Sequence, residues 1–488
     1  MKITSHIFEV DEIKLGNNIE TIVKGGRHLF DKLPEAFSGI KQISIIGWGS
    51  QGPAQAQNLR DSLEGTDIKV CVGLRENSSS LEKARAAGFN EADGTLGEMY
   101  AMIAESDLSI ILIADAAIAE NYERIFNSVK PGATIGFSHG FVIGFFKNIG
   151  YQIRDDINVI AMCPKGMGPS VRRLYVQGKE VDGAGINSSI AIHQAINDHA
   201  IEYALGWAIA VGSPFVFLTT MEMEYRSDIY GERGILLGAV HGIIEAIFQY
   251  KIDIGISPEQ AFKDTAETIT GRISNLISKH GLKGVYEALD EKQKELFITA
   301  YNASYTPLKG ILREIYEEVY SGNEIRSVVL YNERKKITPM GEIDDTYLWH
   351  IGEQVRNKRQ GTVNDLDPLT AGIYVACMVA QVDILIEYGH AFSEIANESI
   401  IEAVDSLNPY MHHKGIAYMV DNCSTTARLG ARKWAPRFDY ILTQLALPAI
   451  EHKEIDQEAF QAFDKHLIHE VLDTCRQLRP SVDISVMD

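Results

Sequence analysis

Two acidic pairs and one glycine triplet are the residues of this 488-residue sequence whose types and spacing could carry chemistry. Asp228 and Glu232 lie four apart, as do Glu398 and Glu402, and that spacing puts both carboxylates of a pair on one face of a helix. A single pair of this kind is ordinarily solvated helix surface. Glu402, however, stands among Ile400, Ile401, Ala403 and Val404, where a buried carboxylate needs a compensating positive centre. Several converging carboxylates would make an all-oxygen site, which suits magnesium or manganese rather than zinc. Glu224, a turn before Asp228, is a weaker candidate for a supporting role there.

The glycine triplet points to a second chemistry. Residues 43–46, Ile-Ser-Ile-Ile, run into Gly47-Trp48-Gly49-Ser50-Gln51-Gly52, and a helical pattern follows. Strand, tight turn and helix are the setting a dinucleotide fingerprint requires. Gly47 permits the turn, Gly49 lets the backbone approach a pyrophosphate, and Gly52 allows close packing of helix on strand. Amides at the helix start, around Ser50 and Gln51, would meet the phosphates. Pro53 fits the first helical turn, where its missing donor is not needed. The next strand ends Leu74-Arg75, followed by Glu76-Asn77-Ser78-Ser79-Ser80. An NAD enzyme usually carries an acidic residue there. A guanidinium with Ser78 and Ser80 instead suits a 2′-phosphate, so NADPH is favoured. The serines could equally cap a helix beginning near Leu81, and Glu76 is expected to face solvent.

The elements that must position these groups fall into two regions. Residues 43–46, 68–72, 108–113, 133–137, 158–162 and 215–218 are short runs of consecutive apolar residues, the pattern of strands buried on both faces of a parallel sheet. Amphipathic stretches at 116–129 and 196–210 alternate with them, which predicts an α/β fold with a doubly wound, Rossmann-like parallel sheet. After about residue 222 helical patterns take over, and a weak repeat appears. Gly255 and Gly389, Gly281 and Gly415, Gly238 and Gly372, and Ala246 and Ala380 are each 134 residues apart. Two packed copies of one helical unit account for this. The expected domains are 1–221, 222–355 and 356–488. Shifted back by 134, Glu398 and Glu402 land on Asp264 and Thr268; shifted forward, Asp228 and Glu232 land on Thr362 and Leu366. Each copy keeps one acidic pair, as expected if a composite site draws one pair from each.

Bulk properties narrow the partners. Forty-six basic against 66 acidic side chains leave a net charge of −20, which repels nucleic acid and anionic lipid and leaves an anionic substrate in need of a local cation. Cys71, Cys163, Cys377, Cys423 and Cys475 show no short pair spacing, which fits a reducing compartment. With no run of about 18 apolar residues and no signal-like start, the expectation is a cytoplasmic protein or a processed organellar one.

Taken together, several motifs resemble ketol-acid reductoisomerase in its long form with a duplicated helical domain, nearest the plant type. They are Gly47 through Asn58, Ser138-His139-Gly140-Phe141, Cys163-Pro164-Lys165-Gly166, Asp228 with Gly231-Glu232, Asn397 through Pro409, and Asp421 through Arg428. The resemblance covers nearly the whole chain. It implies conversion of a 2-hydroxy-3-keto acid, 2-acetolactate or 2-aceto-2-hydroxybutyrate, by alkyl migration assisted by two Mg²⁺ and then reduction by NADPH to the 2,3-dihydroxy acid. By motif, Asp228 would bridge the two ions, and Glu232 would be a ligand or proton donor. Glu398 and Glu402 would position metal-bound water and substrate, and Ser424 would bind substrate. His139 and Lys165, from the sheet domain, would reach the same site; by sequence alone His139 is as readily a hydrogen-bonded turn residue as a functional one, and Lys165 could likewise be surface charge. Trp434 and Phe438 are expected in the core. A homodimer or tetramer is the expected assembly. Two other readings stay open: a metal-free NADP-dependent hydroxyacid dehydrogenase, and a non-catalytic dinucleotide-binding protein.

Overall fold

The computed structural model of the chain describes residues 2–338, 340–359, 361, 366–452, 458–480, 482, 484 and 486. It divides into two compact units. The first comprises Met1–Tyr225 with Ile325–Glu333 and Cys475–Val482; the second comprises Arg226–Glu324 with Arg334–Thr474 and Asp483–Asp488. The first passage of the backbone from one to the other falls within helix Met221–Arg233.

The first unit is built on a ten-stranded sheet: β1 (Asp11–Leu15), β2 (Asn18–Lys24), β3 (Gln42–Ile46), β4 (Lys69–Leu74), β5 (Leu96–Glu98), β6 (Leu108–Ile111), β7 (Thr134–Phe137), β8 (Asn158–Pro164), β9 (Ser188–Gln194) and β10 (Phe215–Leu218). Its spatial order is β1-β2-β10-β9-β8-β7-β6-β3-β4-β5. All six predicted strands are present. From β8 through β5 every pairing is parallel, and β6, β7 and β8 are buried along their whole lengths. That is why consecutive apolar residues mark them. The expected doubly wound parallel core is present, and antiparallel pairings extend it. β9 runs antiparallel to β8, and β2 is antiparallel to both β1 and β10, so the sheet is mixed.

The second unit is all-helical and doubled. The segment Pro258–Phe262 recurs as Phe392–Ala396. The π-helix Lys263–Ile273 recurs as the π-helical segments Asn397–Ile401 and Ala403–Leu407. Helix Ser274–Glu287 is interrupted at Gly281 (φ 72°), and its counterpart is broken at Gly415 (φ 98°) between Asn408–Lys414 and Ile416–Asn422. Positive φ at both breaks is a conformation glycine adopts without strain, which explains why the repeat shows most clearly in its glycines. The copies meet on equivalent residues: Asn408 Nδ2 donates to Ser274 Oγ at 2.9 Å across a sequence separation of 134.

Packing between the copies is reciprocal. Helix Gly238–Asp253 of the first lies on Thr425–Ile441 of the second, and Pro368–Glu387 of the second lies on Glu291–Tyr320 of the first. Trp434 and Phe438 are fully buried in this core. Met221–Asp253 and Pro368–Glu387 are long and on average apolar enough to cross a membrane, but 78% and 89% of their apolar windows are buried in the protein. Pro368–Glu387, apolar and buried nearly all round, is what the centre of a helical core demands. Thr362, onto which Asp228 maps by the repeat, lies outside the described residues.

Candidate active site

In the sheet unit the predicted groups gather at the carboxyl ends of parallel strands, the edge where ligands collect in such sheets. Gly47 follows β3 with φ 116°; a Cβ there would sit 2.6 Å from the Leu112 carbonyl oxygen. At Gly52 a Cβ would lie 2.4 Å from the Gly47 carbonyl oxygen, so the turn closes only on glycine. Gly49 differs: a Cβ would meet nothing nearer than 4.0 Å, leaving its backbone approachable. Helix Gln51–Ser62 begins directly after, with Ser50 at its N-cap. Both side chains tie the turn to the loop after β8, since Gln51 Nε2 donates to the Gly166 carbonyl at 2.8 Å and Ser50 Oγ accepts from the Gly168 amide at 3.4 Å. Gly47→Ala is therefore expected to destabilise this unit by about 1–3 kcal/mol through backbone strain and to weaken NADPH binding. Fluorescence titration checks this, and unchanged affinity would dissociate the turn from the cofactor.

Arg75, Glu76 and Asn77 follow β4 and are exposed; Ser78 and Ser80 are half-buried. The loop turns at Asn77, which has φ 60°. Helix Leu81–Ala86 starts where expected, but Ser80 at its N-cap makes no side-chain cap. Ser78 Oγ accepts from the Ser80 amide at 3.3 Å.

His139 follows β7, with Nδ1 3.5 Å from Asp115 Oδ2, a partner the sequence reading had not identified. Lys165 follows β8 and is only 2% exposed. Its Nζ donates to Glu224 Oε1 at 3.1 Å, while the Gly140 amide donates to Glu224 Oε2 at 2.6 Å. Both oxygens of Glu224, a buried carboxylate that spacing had marked as secondary, are thus held from the sheet side. Its position four before Asp228 continues the Asp228–Glu232 stripe by one turn, and that stripe was the available signal.

In the helical unit Asp228 and Glu398 each offer a carboxylate oxygen within 4.8 Å of the other. Glu224, one turn back along the helix of Asp228, offers another within the same reach of Asp228. Glu398 is completely buried and Glu402 is 9% exposed. The helix bearing them is π-wound rather than α. Such turns are uncommon and concentrate at functional sites. Glu232 and Glu402 stand outside the close carboxylate group. Glu232 Oε2 accepts from Arg233 Nη1 at 3.0 Å. Burial pushes the Cys423 thiol up to about 12, and the charges of Glu232 and Glu402 push it the same way. The outer members of the two pairs therefore both act on the residue before Ser424. Ser424 is exposed and caps helix Thr425–Ile441, its Oγ accepting from the Ala427 amide at 3.0 Å. Asp290, 134 residues earlier, caps Glu291–Tyr320 in the same way. Ser424 thus has a structural duty that the repeat could have revealed.

Comparison with known proteins gives these groups a context. Residues 39–214 match the NADPH-binding domain of acetohydroxy acid isomeroreductase, and residues 221–361 match the C-terminal domain of ketol-acid reductoisomerase. The chain is 56% identical to the chloroplastic ketol-acid reductoisomerase of Spinacia oleracea over 99% of its own length and 83% of that protein. It is 55% identical to the Pisum sativum chloroplastic enzyme, over 98% and 84%. Among solved structures, an NADH-preferring ketol-acid reductoisomerase from an uncultured archaeon shares the fold at a TM-score of 0.56 and 24% identity, covering 66% of this chain and 95% of that one. A dinucleotide turn on the sheet unit, carboxylates converging in the helical unit and matches across both regions lead to one assignment: the chain belongs to the ketol-acid reductoisomerase family.

Proposed function

We propose that the protein is an NADPH- and Mg²⁺-dependent ketol-acid reductoisomerase, converting 2-acetolactate or 2-aceto-2-hydroxybutyrate to the 2,3-dihydroxy acid in valine, isoleucine and leucine biosynthesis. The convergence of Asp228 and Glu398 carries the reading. Two like charges this close, one fully buried, call for a counter-cation. A donor set of carboxylate oxygens fits Mg²⁺. Asp228, Glu232, Glu398 and Glu402 would hold two such ions, with Glu224 in support. When bound, these ions supply Lewis-acid stabilisation of charge on substrate oxygens, and NADPH supplies the hydride.

The chain's own residues supply orientation and proton handling. The backbone at Gly47, Gly49 and Gly52, with the amides of Ser50 and Gln51, would receive the pyrophosphate. Arg75, Ser78 and Ser80 would receive the 2′-phosphate, and Ser80, whose side chain does not cap the helix it precedes, suits that role. Lys165 fixes the Glu224 carboxylate. Glu232, paired with Arg233, would accept the proton lost from the tertiary hydroxyl. His139, beside Asp115, would serve as a hydrogen-bonding or proton-transfer group, and Ser424 would bind substrate. The proposed domain plan keeps 1–221 for the cofactor and the repeats 222–355 and 356–488 for the ions. A homodimer or tetramer is the proposed assembly. None of the five cysteines forms a disulfide, which favours a reducing compartment, cytoplasmic or organellar; both plant relatives are named chloroplastic.

Monitoring NADPH absorbance with 2-acetolactate, with and without EDTA, tests this reading. Oxidation that stops on chelation and returns with Mg²⁺ is the expected result. Turnover persisting under EDTA would instead indicate a metal-free dehydrogenase, and no turnover at all would leave a binding protein.

A further inference from the structure

Directly beside the carboxylates of the helical unit runs a chain of buried polar groups that the chemistry above does not use. Ser227, next to Asp228, donates a hydrogen bond to Glu394 Oε1. Glu394 lies four residues before Glu398 on the opposing helix. His390 Nδ1 is 3.4 Å from the same oxygen, and its Nε2 lies 2.7 Å from the Tyr316 hydroxyl. The ring thus bridges the phenol, at hydrogen-bond distance, and the carboxylate, which its Nδ1 faces. Ser227, Glu394, His390 and Tyr316 are 0, 1, 4 and 1% exposed.

Packing alone does not explain an ionisable Glu394 in this place, since apolar residues of similar volume hold helices together as well or better. The repeat provides an internal comparison. At the equivalent positions of the other copy, Glu394 is replaced by Gln260, His390 by Ile256 and Ser227 by Gly361. Gln260 is exposed and bonds instead to Asp264 Oδ1 at 2.7 Å. Among the described residues, this tie between helices occurs beside the converging carboxylates and not at the equivalent Gln260. One helix contributes Ser227 and Asp228, the other Glu394 and Glu398, so the Ser227–Glu394 bond fixes the rotation and spacing that bring Asp228 and Glu398 together.

We propose that Glu394, steadied by His390 and Tyr316, is a positioning residue that acts through Ser227 to set the Asp228–Glu398 geometry for a divalent cation. The proposal rests on the metal reading above. Groups bonded just outside a metal site commonly alter affinity by about 10–100-fold. The test is Mn²⁺ binding to the full-length protein, read by the loss of free-ion EPR signal alongside thermal melting. Ser227→Ala and Glu394→Gln should each weaken binding at least ~10-fold, Ser227→Thr should restore it, and Gln260→Ala should leave it unchanged. Wild-type affinity in Ser227→Ala, even with a lowered melting temperature, would overturn the proposal by reducing the tie to packing. Asp228→Asn in the same titration separates the two readings: if wild type shows no binding that this change removes, the metal site itself is wrong and the positioning role falls with it.

Discussion

Asp228→Asn is expected to lower kcat by on the order of 10²–10³-fold or more, the scale on which single groups that stabilise developing charge are measured, while making the metal-free protein no less stable. The two effects have opposite signs for one reason. Asn keeps the shape of Asp228 but removes one of two negative charges whose oxygens lie within 4.8 Å. Without a cation, that removal relieves repulsion next to the fully buried Glu398. With a cation, it removes the attraction that binds it. Wild type should therefore gain melting temperature on adding Mg²⁺, in proportion to the logarithm of free ion over its dissociation constant, and Asp228→Asn should lose that gain. Turnover at saturating NADPH and melting curves with and without Mg²⁺ measure both. A variant that melts lower without metal yet keeps its response to Mg²⁺ would show Asp228 to be a structural carboxylate.

The parts of this site that could be read from sequence are those whose cause is local. Strands β3, β6, β7 and β8 announce themselves because burial on both faces forces consecutive apolar residues. β9 does not, because Ser188 and Ser189 are fully buried polar residues within it. β1 alternates between half-exposed and exposed residues, and charged side chains mask the alternation. The glycine turn was legible because steric exclusion at Gly47 and Gly52 acts within a few residues. The π-winding of Asn397–Ile401 and Ala403–Leu407 was not, since the four-residue spacing of Glu398 and Glu402 reads the same in either helix. Long-range pairings were equally hidden. Lys165 finds Glu224 across 59 residues, and Arg233 finds Glu324 across 91. No local pattern specifies either partner; the fold chooses it, by leaving each buried charge a counter-charge within reach.

Arg233 carries the second large expected effect. It is completely buried, with Nε donating to Glu324 Oε2 at 2.8 Å and Nη1 to Glu232 Oε2 at 3.0 Å. Glu324, itself 1% exposed, is also reached by Lys433 Nζ at 2.5 Å and by the Trp434 indole at 3.1 Å. Arg233→Met fills similar space but takes a cation from both Glu232 and Glu324, of which Glu324 keeps Lys433. Breaking a buried pair by removing one partner costs about 3–5 kcal/mol, and the remaining Lys433 places this case toward the lower end. Arg233→Lys should rescue only in part, because an ammonium lacks the planar fork that serves both carboxylates. The pH dependence identifies the cause. Burial raises the Glu324 carboxyl, but Arg233 and Lys433 outweigh it and hold the folded-state value below the ordinary 4.5. A depressed carboxyl stabilises the fold fully above its unfolded value and loses that contribution as pH falls through the lower, folded value. The gap between wild type and Arg233→Met should accordingly be widest at neutral pH and narrow as pH drops below 4.5. Urea denaturation across that range measures it. A gap that stays constant with pH would assign the loss to packing around a long side chain, and turnover lowered in step with stability would leave Glu232 without a special dependence on Arg233. Turnover falling while the protein remains folded, in contrast, would tie the buried guanidinium to the proton transfer proposed for Glu232, whose carboxylate it holds.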